Sequence, residues 1–356
     1  MPYSIKCTPE YNYDDILAIM NLELDIPVAD ITNLSTTILN ILMGTRQIRE
    51  GSKPGIDYQY NAKHTIDAYI EGNKQIMIYL PSGPKKPHLD GGFIDLAEYW
   101  FITILGQIAD KIKAIYAPGV KFNIIAEDAS MELFEPDIPL KASTAYITKF
   151  NNLVRVLGYE NNILVIPEST LVTSEALLKA GYEIRNTMTK YLTLAYGSIM
   201  KSDAGSMMNY MADLNAAGWK GEITRETLDY YYHNFSNNYP EKTRAELIEA
   251  ISLYLSTSYA RYKLGVKPQG IYASNAKRIP GVTWDQHNRI YYRTVPLSKT
   301  KTNIPFWRAR GVIAIENGEY ATKLFPYNQT PEVEINRVVV TNSKGDSARL
   351  HIDILI

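Results

Sequence analysis

Two groups of chemistry-bearing residues stand close together in the first half of the chain. Glu127 and Asp128 directly follow an apolar run, Val120-Lys-Phe-Asn-Ile-Ile-Ala126. Upstream, a Gly/Pro-rich loop, Pro81-Ser-Gly-Pro-Lys-Lys-Pro-His-Leu-Asp-Gly-Gly-Phe93, carries Lys85, Lys86 and His88. Carboxylates can take a proton from an amine or hold it as an ammonium. Lysines neutralise phosphate charge, and a helix starting just beyond Gly91-Gly92 adds backbone donors to the same anion seat. Each group also has a plainer reading. A Lys-Lys pair is commonly a solvated loop, and a carboxylate just past a strand is commonly a loop or cap group. Adjacent side chains on a strand point to opposite faces, so one of Glu127 and Asp128 faces a pocket unless the strand has ended.

The elements that position these groups follow from the pattern around them. Leu96, Trp100, Leu105, Ile108, Ile112 and Ile115, with Ile104 beside them, lie near a 3.6-residue period and predict a helix with one apolar stripe. Asp95 stands at its N-cap with Glu98 three residues on, a capping-box arrangement led by Asp. Pro118-Gly119 ends that helix, and Val120, Phe122 and Ile124 share one face of the strand that follows. In open α/β sheets ligands sit outside the carboxyl ends of the strands, which is where Glu127 and Asp128 fall.

Elsewhere, Thr8 to Asn21 and Ala29 to Glu50 are expected to be helical, the second ending at Gly51-Ser-Lys-Pro-Gly55. Gln75 to Leu80 and Asn162 to Ile166 are expected strands. The alternation of strand and helix predicts an α/β fold: a mainly parallel central sheet with helices on both faces, Rossmann-like, with an N-terminal helical layer and a C-terminal β-rich extension. The corresponding regions are 1–74, 75–265 and 266–356. Ser174 to Gly265 is mostly helical in pattern. Beyond it, Ile271 to Ser274, Arg289 to Val295, Gly311 to Glu316, Glu332 to Thr341 and Ala348 to Ile356 are expected strands, which either add antiparallel strands to the sheet's edge or form a small β subdomain. The last two are joined by a hairpin loop at Asn342-Ser-Lys-Gly-Asp346.

Composition narrows the function classes. The 356-residue chain has a formal net charge of −1, so it carries no basic field for nucleic acid. Cys7 is the one cysteine, which excludes an internal disulfide and any multi-cysteine metal site and fits a cytoplasmic protein. The N-terminus lacks a signal-peptide pattern, and no apolar run is long enough to span a bilayer, so a membrane is not an expected partner. His64, His88, His233, His287 and His351 form no zinc-binding spacing. There is no glycine-rich dinucleotide fingerprint, P-loop or nucleophile elbow, and Cys7 has no local support as a nucleophile. Tyrosines such as Tyr230-Tyr-Tyr232 are sound amphipathic packing residues as well as candidates for a substrate cage.

The succession Lys85-Lys86, Phe93-Ile-Asp95 with Glu98, Tyr116-Ala-Pro-Gly119 and Ala126-Glu-Asp128 resembles the isocyanide (isonitrile) synthase family. That family includes enzymes of paerucumarin synthesis and of fungal spore-wall dityrosine formation. Its pattern is a basic Pro-containing loop, a Leu-Pro-Asp-type helix start, a Tyr-Pro-Pro-Gly-type turn and a strand ending in Ser-Asp-Gly. Tyr146 and the Leu153–Gly158 segment fit the helix and turn that follow. Tyr210-Met-Ala-Asp213-Leu214 resembles the family's Asp-Leu segment, and Ile304-Pro-Phe-Trp307-Arg308 its Thr-Pro-Trp-His segment. The chain differs from the pattern at Ser82, where the family's loop has lysine, at Ala129 in place of glycine, and at Arg308 in place of histidine.

The resemblance implies that an amino acid's amine condenses with ribulose 5-phosphate. The sugar's carbonyl carbon becomes the isocyanide carbon after phosphate loss and carbon–carbon cleavage, with no metal or organic cofactor. It implies small-molecule partners, the amino acid and the sugar phosphate, and a downstream oxygenase of the same secondary-metabolite pathway. Asp128 aligns with the family's Asp, with Glu127, Tyr146 and Asp213 as further catalytic candidates. Lys85, Lys86 and His88 are candidates for phosphate binding. Trp307 can wall a pocket and Arg308 can bind an anion. Arg185 and Arg244 are added as planar forks for a carboxylate or phosphate, a role that competes with an ordinary surface ion pair. Arg261 and Lys263 suit a helix C-terminus as favourable charges.

Two other readings remain: a nucleotide-dependent transferase such as a methyltransferase, using a strand-end acid on a ribose, and a non-catalytic ligand-binding or scaffold member of the family. Titration with millimolar S-adenosylmethionine separates the first. No detectable binding is expected, and saturable binding would favour the methyltransferase.

Overall fold

Asp95 forms the cap that its position predicts. In the computed structural model its side chain accepts from Ala97 N at 2.7 Å, while Glu98 accepts from Asp95 N at 2.9 Å, completing the capping box. The structure describes residues 3–6, 33–44, 56–82, 94–134, 140–196, 212–213, 216, 225–266, 271–274, 289–291, 309–316, 319–326 and 332–355. The elements in chain order are β1 (Tyr3–Lys6), α1 (Leu34–Gly44), α2 (Ile56–Glu71), β2 (Ile76–Ser82), α3 (Leu96–Ile115), β3 (Val120–Ala126), α4 (Asp128–Phe134) and α5 (Leu140–Val156). There follow β4 (Ile163–Pro167), α6 (Ser174–Tyr196), α7 (Arg225–Asn238), α8 (Arg244–Lys263), β5 (Ile271–Ser274) and β6 (Arg289–Tyr291). The chain ends with β7 (Ala309–Glu316), β8 (Glu319–Pro326), β9 (Val333–Asn342) and β10 (Ser347–Leu355).

One sheet has the order β4-β3-β2-β5-β6, with every pair parallel. Its strands occur along the chain in Rossmann order, so the α/β, Rossmann-like expectation holds. The topological switch point, where the strand order reverses, lies between β2 and β5. The second sheet, β1-β9-β10-β7-β8, is mixed, with β10 and β7 parallel and its other pairs antiparallel. The chain beyond Gly265 thus contributes to both sheets: β5 and β6 complete the parallel one, joining its edge as parallel strands rather than the expected antiparallel ones, and β7 to β10 build the other together with β1. Neither β1 nor β8 is anticipated by the sequence pattern.

The single apolar stripe expected on α3 is only half of what this helix buries. Tyr99, Phe101 and Ile102 are buried as well as Leu96, Trp100, Ile108 and Ile112. The physical reason is its place between two layers: α3 contacts β3 and β4 on one side and β7 and β10 on the other, and one apolar core runs through all of them. α5 likewise contacts β4 and β10. Ile76, Ile78, Leu80, Val120, Phe122, Ile124, Ile163 and Val165 line the sheet face that meets these helices.

Of the expected N-terminal helices, Ala29 to Glu50 is represented by α1, and Thr8 to Asn21 lies outside the described residues. α2 is additional; its buried Ala62 and Ile66 join the same core among otherwise mixed residues. No helix among the described residues is long and apolar enough to cross a membrane.

The mixed sheet docks closely on the start of α3. Gly311 N donates to Asp95 Oδ1 at 3.2 Å, and His351 N donates to Ile94 O at 2.8 Å. A Cβ on Gly311 would stand 2.6 Å from Ala97 N and 2.9 Å from Leu96 Cβ. Gly311→Ala should therefore destabilise the protein by about 1–3 kcal/mol, read as a lower midpoint in denaturant unfolding; an unchanged midpoint would contradict this packing.

Candidate functional site

The carboxyl ends of β2, β3 and β4 are drawn together by backbone first. Glu127 N donates to Ser82 O at 2.7 Å, so the chain leaving β3 is held beside the end of β2 before it turns into α4. Across the next strand, Glu168 opens a single 3-10 turn, Glu168–Thr170. Asp128 joins the two turns. Its Oδ1 accepts from Ser169 N at 2.8 Å and from Ala129 N at 3.0 Å, and its Oδ2 accepts from Ser169 Oγ at 2.6 Å.

Onto this edge α8 delivers a guanidinium. Arg261 Nε donates to Glu168 Oε1 at 2.5 Å, and Arg261 Nη1 donates to Glu127 Oε1 at 2.7 Å. Glu168 Oε2 accepts in addition from Ser130 N at 2.9 Å. The helix reaches this point because α6 and α8 run antiparallel in close contact. Gly181 leaves no room for a side chain against Ser256, since a Cβ there would lie 2.8 Å from Ser256 O. Ala129, Val172, Leu177, Ala260 and Val266 then pack the end of α8 against α4.

The three ionic side chains differ in access. Glu168 is fully buried, Arg261 is 10 % exposed and Glu127 is 23 % exposed. Burial opposes the charge on Arg261, but the carboxylates of Glu127 and Glu168 outweigh it and raise the guanidinium pKa above its ordinary value. Arg261 is a permanent cation here. Asp128 is buried, its two oxygens occupied by Ser169 and Ala129, so solvent reaches Glu127 rather than Asp128. Because α4 starts at Asp128, the strand has ended before it, and the simple opposite-face rule does not apply to the pair.

The other expected site residues lie apart from this edge or outside the described residues. Tyr146 is buried behind it, where its hydroxyl donates to Glu98 Oε1 at 2.7 Å. Burial first, and then the Glu98 charge, the bond to Glu98 and the Asp95 charge, push the phenol well above its ordinary pKa of 10.0. Arg185 pairs with Glu249 on the flank between α6 and α8. Glu249 precedes Arg261 by more than three helical turns, about 18 Å along the axis. Arg244, exposed at the start of α8, lies about 25 Å from Arg261 by the same rise. Asp213 is exposed. Lys85, Lys86, His88, Trp307 and Arg308 lie outside the described residues.

Arg261 and Glu168 are the members that pattern reading undervalues. Glu168 repeats at the end of β4 the strand-end position that Glu127 holds after β3, which was a usable signal. Arg261 looks like an ordinary C-terminal helix charge, and only the pairing of α6 with α8 reveals its direction. Among the described residues no group of three or more His, Cys, Asp or Glu side chains is arranged to hold a metal ion.

No protein-family model matches the chain, and no curated protein matches it. Among solved structures, the chain shares its fold with PvcA from Pseudomonas aeruginosa, at 16 % identity and a TM-score of 0.51, over 91 % of this chain and 100 % of that one. A tyrosyl-tRNA synthetase complexed with L-tyrosine from Archaeoglobus fulgidus matches at 12 % identity and a TM-score of 0.31, over 82 % of this chain and 70 % of that one. A tryptophanyl-tRNA synthetase from Giardia lamblia matches at 13 % identity and a TM-score of 0.28, over 73 % and 64 %.

Two measurements test the site's construction. Arg261→Leu leaves Glu168 buried without its cation and should cost about 3–5 kcal/mol in unfolding free energy; a loss below 1 kcal/mol, about the worth of an exposed pair, would contradict the burial. For Tyr146, the folded pKa exceeds the unfolded one, so above pH 10 the unfolded state loses a proton that the folded state keeps. Its stabilisation is full below that pH and is lost progressively as pH rises toward the folded value. Tyr146→Phe should flatten the alkaline fall in stability, and an unchanged slope would place the phenol elsewhere.

Proposed function

We propose that the chain is an isocyanide synthase-like enzyme that converts the amine of an amino acid to an isocyanide, with ribulose 5-phosphate as carbon donor, in secondary-metabolite biosynthesis. The observation that carries this reading is the placement of a solvent-reachable carboxylate, Glu127, on a fixed guanidinium beside the end of β2. The ordered resemblance from Lys85 to Asp128 and the fold shared with PvcA support it.

The chemistry needs a base that frees the amine for attack on the sugar's carbonyl, then acid and base groups for the eliminations that expel phosphate and cleave the carbon–carbon bond. Glu127 takes the amine's proton in this reading. Arg261 limits its swing, and Asp128 positions the edge by holding Ser169, which fixes the turn that carries Glu168. The phosphate belongs with Lys85, Lys86 and His88, which follow Ser82 in sequence. Tyr146 keeps a supporting place through Glu98 at the start of α3.

Incubation of the folded protein with ribulose 5-phosphate and a pool of amino acids tests the reading. An isocyanide detected by mass spectrometry, with phosphate released in step, is expected; absence of both with every amine would contradict it. Glu127→Gln should lower turnover about 100-fold or more with little change in melting temperature, since its amide oxygen still accepts from Arg261. Near-normal turnover would remove Glu127 from proton transfer.

A further inference from the structure

The Glu127–Arg261 contact differs from the Glu168–Arg261 contact in a way that bears on the ligand. Glu168 is fully buried and held by Arg261 Nε and Nη2 and by Ser130 N, so this half of the bridge is fixed. Glu127 holds Nη1 from a partly exposed position. Ser130, whose N–H bonds Glu168, has a buried hydroxyl with no hydrogen-bond partner among the described residues.

We infer that the Glu127–Arg261 ion pair is the seat of a free α-amino acid, whose zwitterion opens the pair by placing its ammonium on Glu127 and its carboxylate on Arg261 Nη1. The inference rests on the proposed function and assigns the amine substrate its place within it. The charges favour this exchange over others. A zwitterion replaces each partner of the pair with a group of the same sign, so no buried charge is left unpaired. A lone amine would leave Arg261 Nη1 without an acceptor, and a lone carboxylate would leave Glu127 without a donor, so each would lose a hydrogen bond that the zwitterion replaces. A phosphate on Arg261 would face the carboxylates of Glu127 and Glu168 together, which directs the sugar phosphate to a different part of the edge. Ser130 adds a hydroxyl donor beside the fixed half of the bridge.

The test is calorimetric titration of the full chain, without ribulose 5-phosphate, using a panel of free L-amino acids and then the N-acetyl and methyl ester derivatives of the tightest binder. The free amino acid should bind, and each blocked derivative should bind about tenfold or more weakly. In Glu127→Gln the gap between the free amino acid and its N-acetyl derivative should shrink, because no carboxylate is stranded when the derivative takes Arg261. A purely structural Glu127 would not produce that change. Equal binding of free and blocked forms, an undiminished gap in Glu127→Gln, or no binding of any amino acid overturns the inference. Discriminating binding without isocyanide formation supports the inference and overturns the functional reading, whereas isocyanide formation with an undiminished gap does the reverse.

Discussion

The guanidinium of Arg261, shared between Glu127 and Glu168, is the constraint on which the candidate site depends. It fastens the last turn of α8 to the carboxyl ends of β3 and β4, three segments distant in sequence. A buried cation of this kind is not an efficient source of stability, because desolvation offsets most of the Coulomb attraction. Its effect is positional. It leaves one carboxylate buried and fixed and the other partly exposed, and it draws the pair of helices α6 and α8 to the carboxyl ends of β3 and β4, beside the half of the sheet that meets the switch point at β2.

A second polar anchor acts behind the sheet. Asp95 caps α3 and also accepts from Gly311 N in the mixed sheet, while Glu98 accepts from Asp95 N and from Tyr146 on α5. A few buried side chains thus register α3, α5 and the mixed sheet against one another. The buried Arg310–Asp353 pair, 2.5 Å apart, ties β7 to β10 in the same layer. The helix that follows Lys85 and Lys86 in sequence therefore begins on a fixed support.

The parts of this arrangement that were legible in the sequence were those written in local patterns. The capping box at Asp95 and Glu98, the apolar strand Val120–Ala126 and the carboxylates behind it depend on residues close in the chain, and all appear where expected. The parallel pairing of β5 with β2 and of β6 with β5 was not legible, because short strands carry no local mark of their partner. The second buried side of α3 was hidden for a related reason: burial of Tyr99 and Ile102 depends on elements distant in sequence that pack around the helix. Glu127 and Asp128 were legible as a pair but not in their difference. Which one solvent reaches is decided by Ser169 and Arg261, residues far away in sequence whose approach follows from the packing of whole helices.

The central claim is that the carboxyl edge formed by β2, β3 and β4 receives the substrates. A crystal structure of the protein soaked with an amino acid and ribulose 5-phosphate tests it most directly. Ligand density beside Glu127 and the end of β2 is the predicted result, and density at a distant surface with this edge unchanged would contradict it.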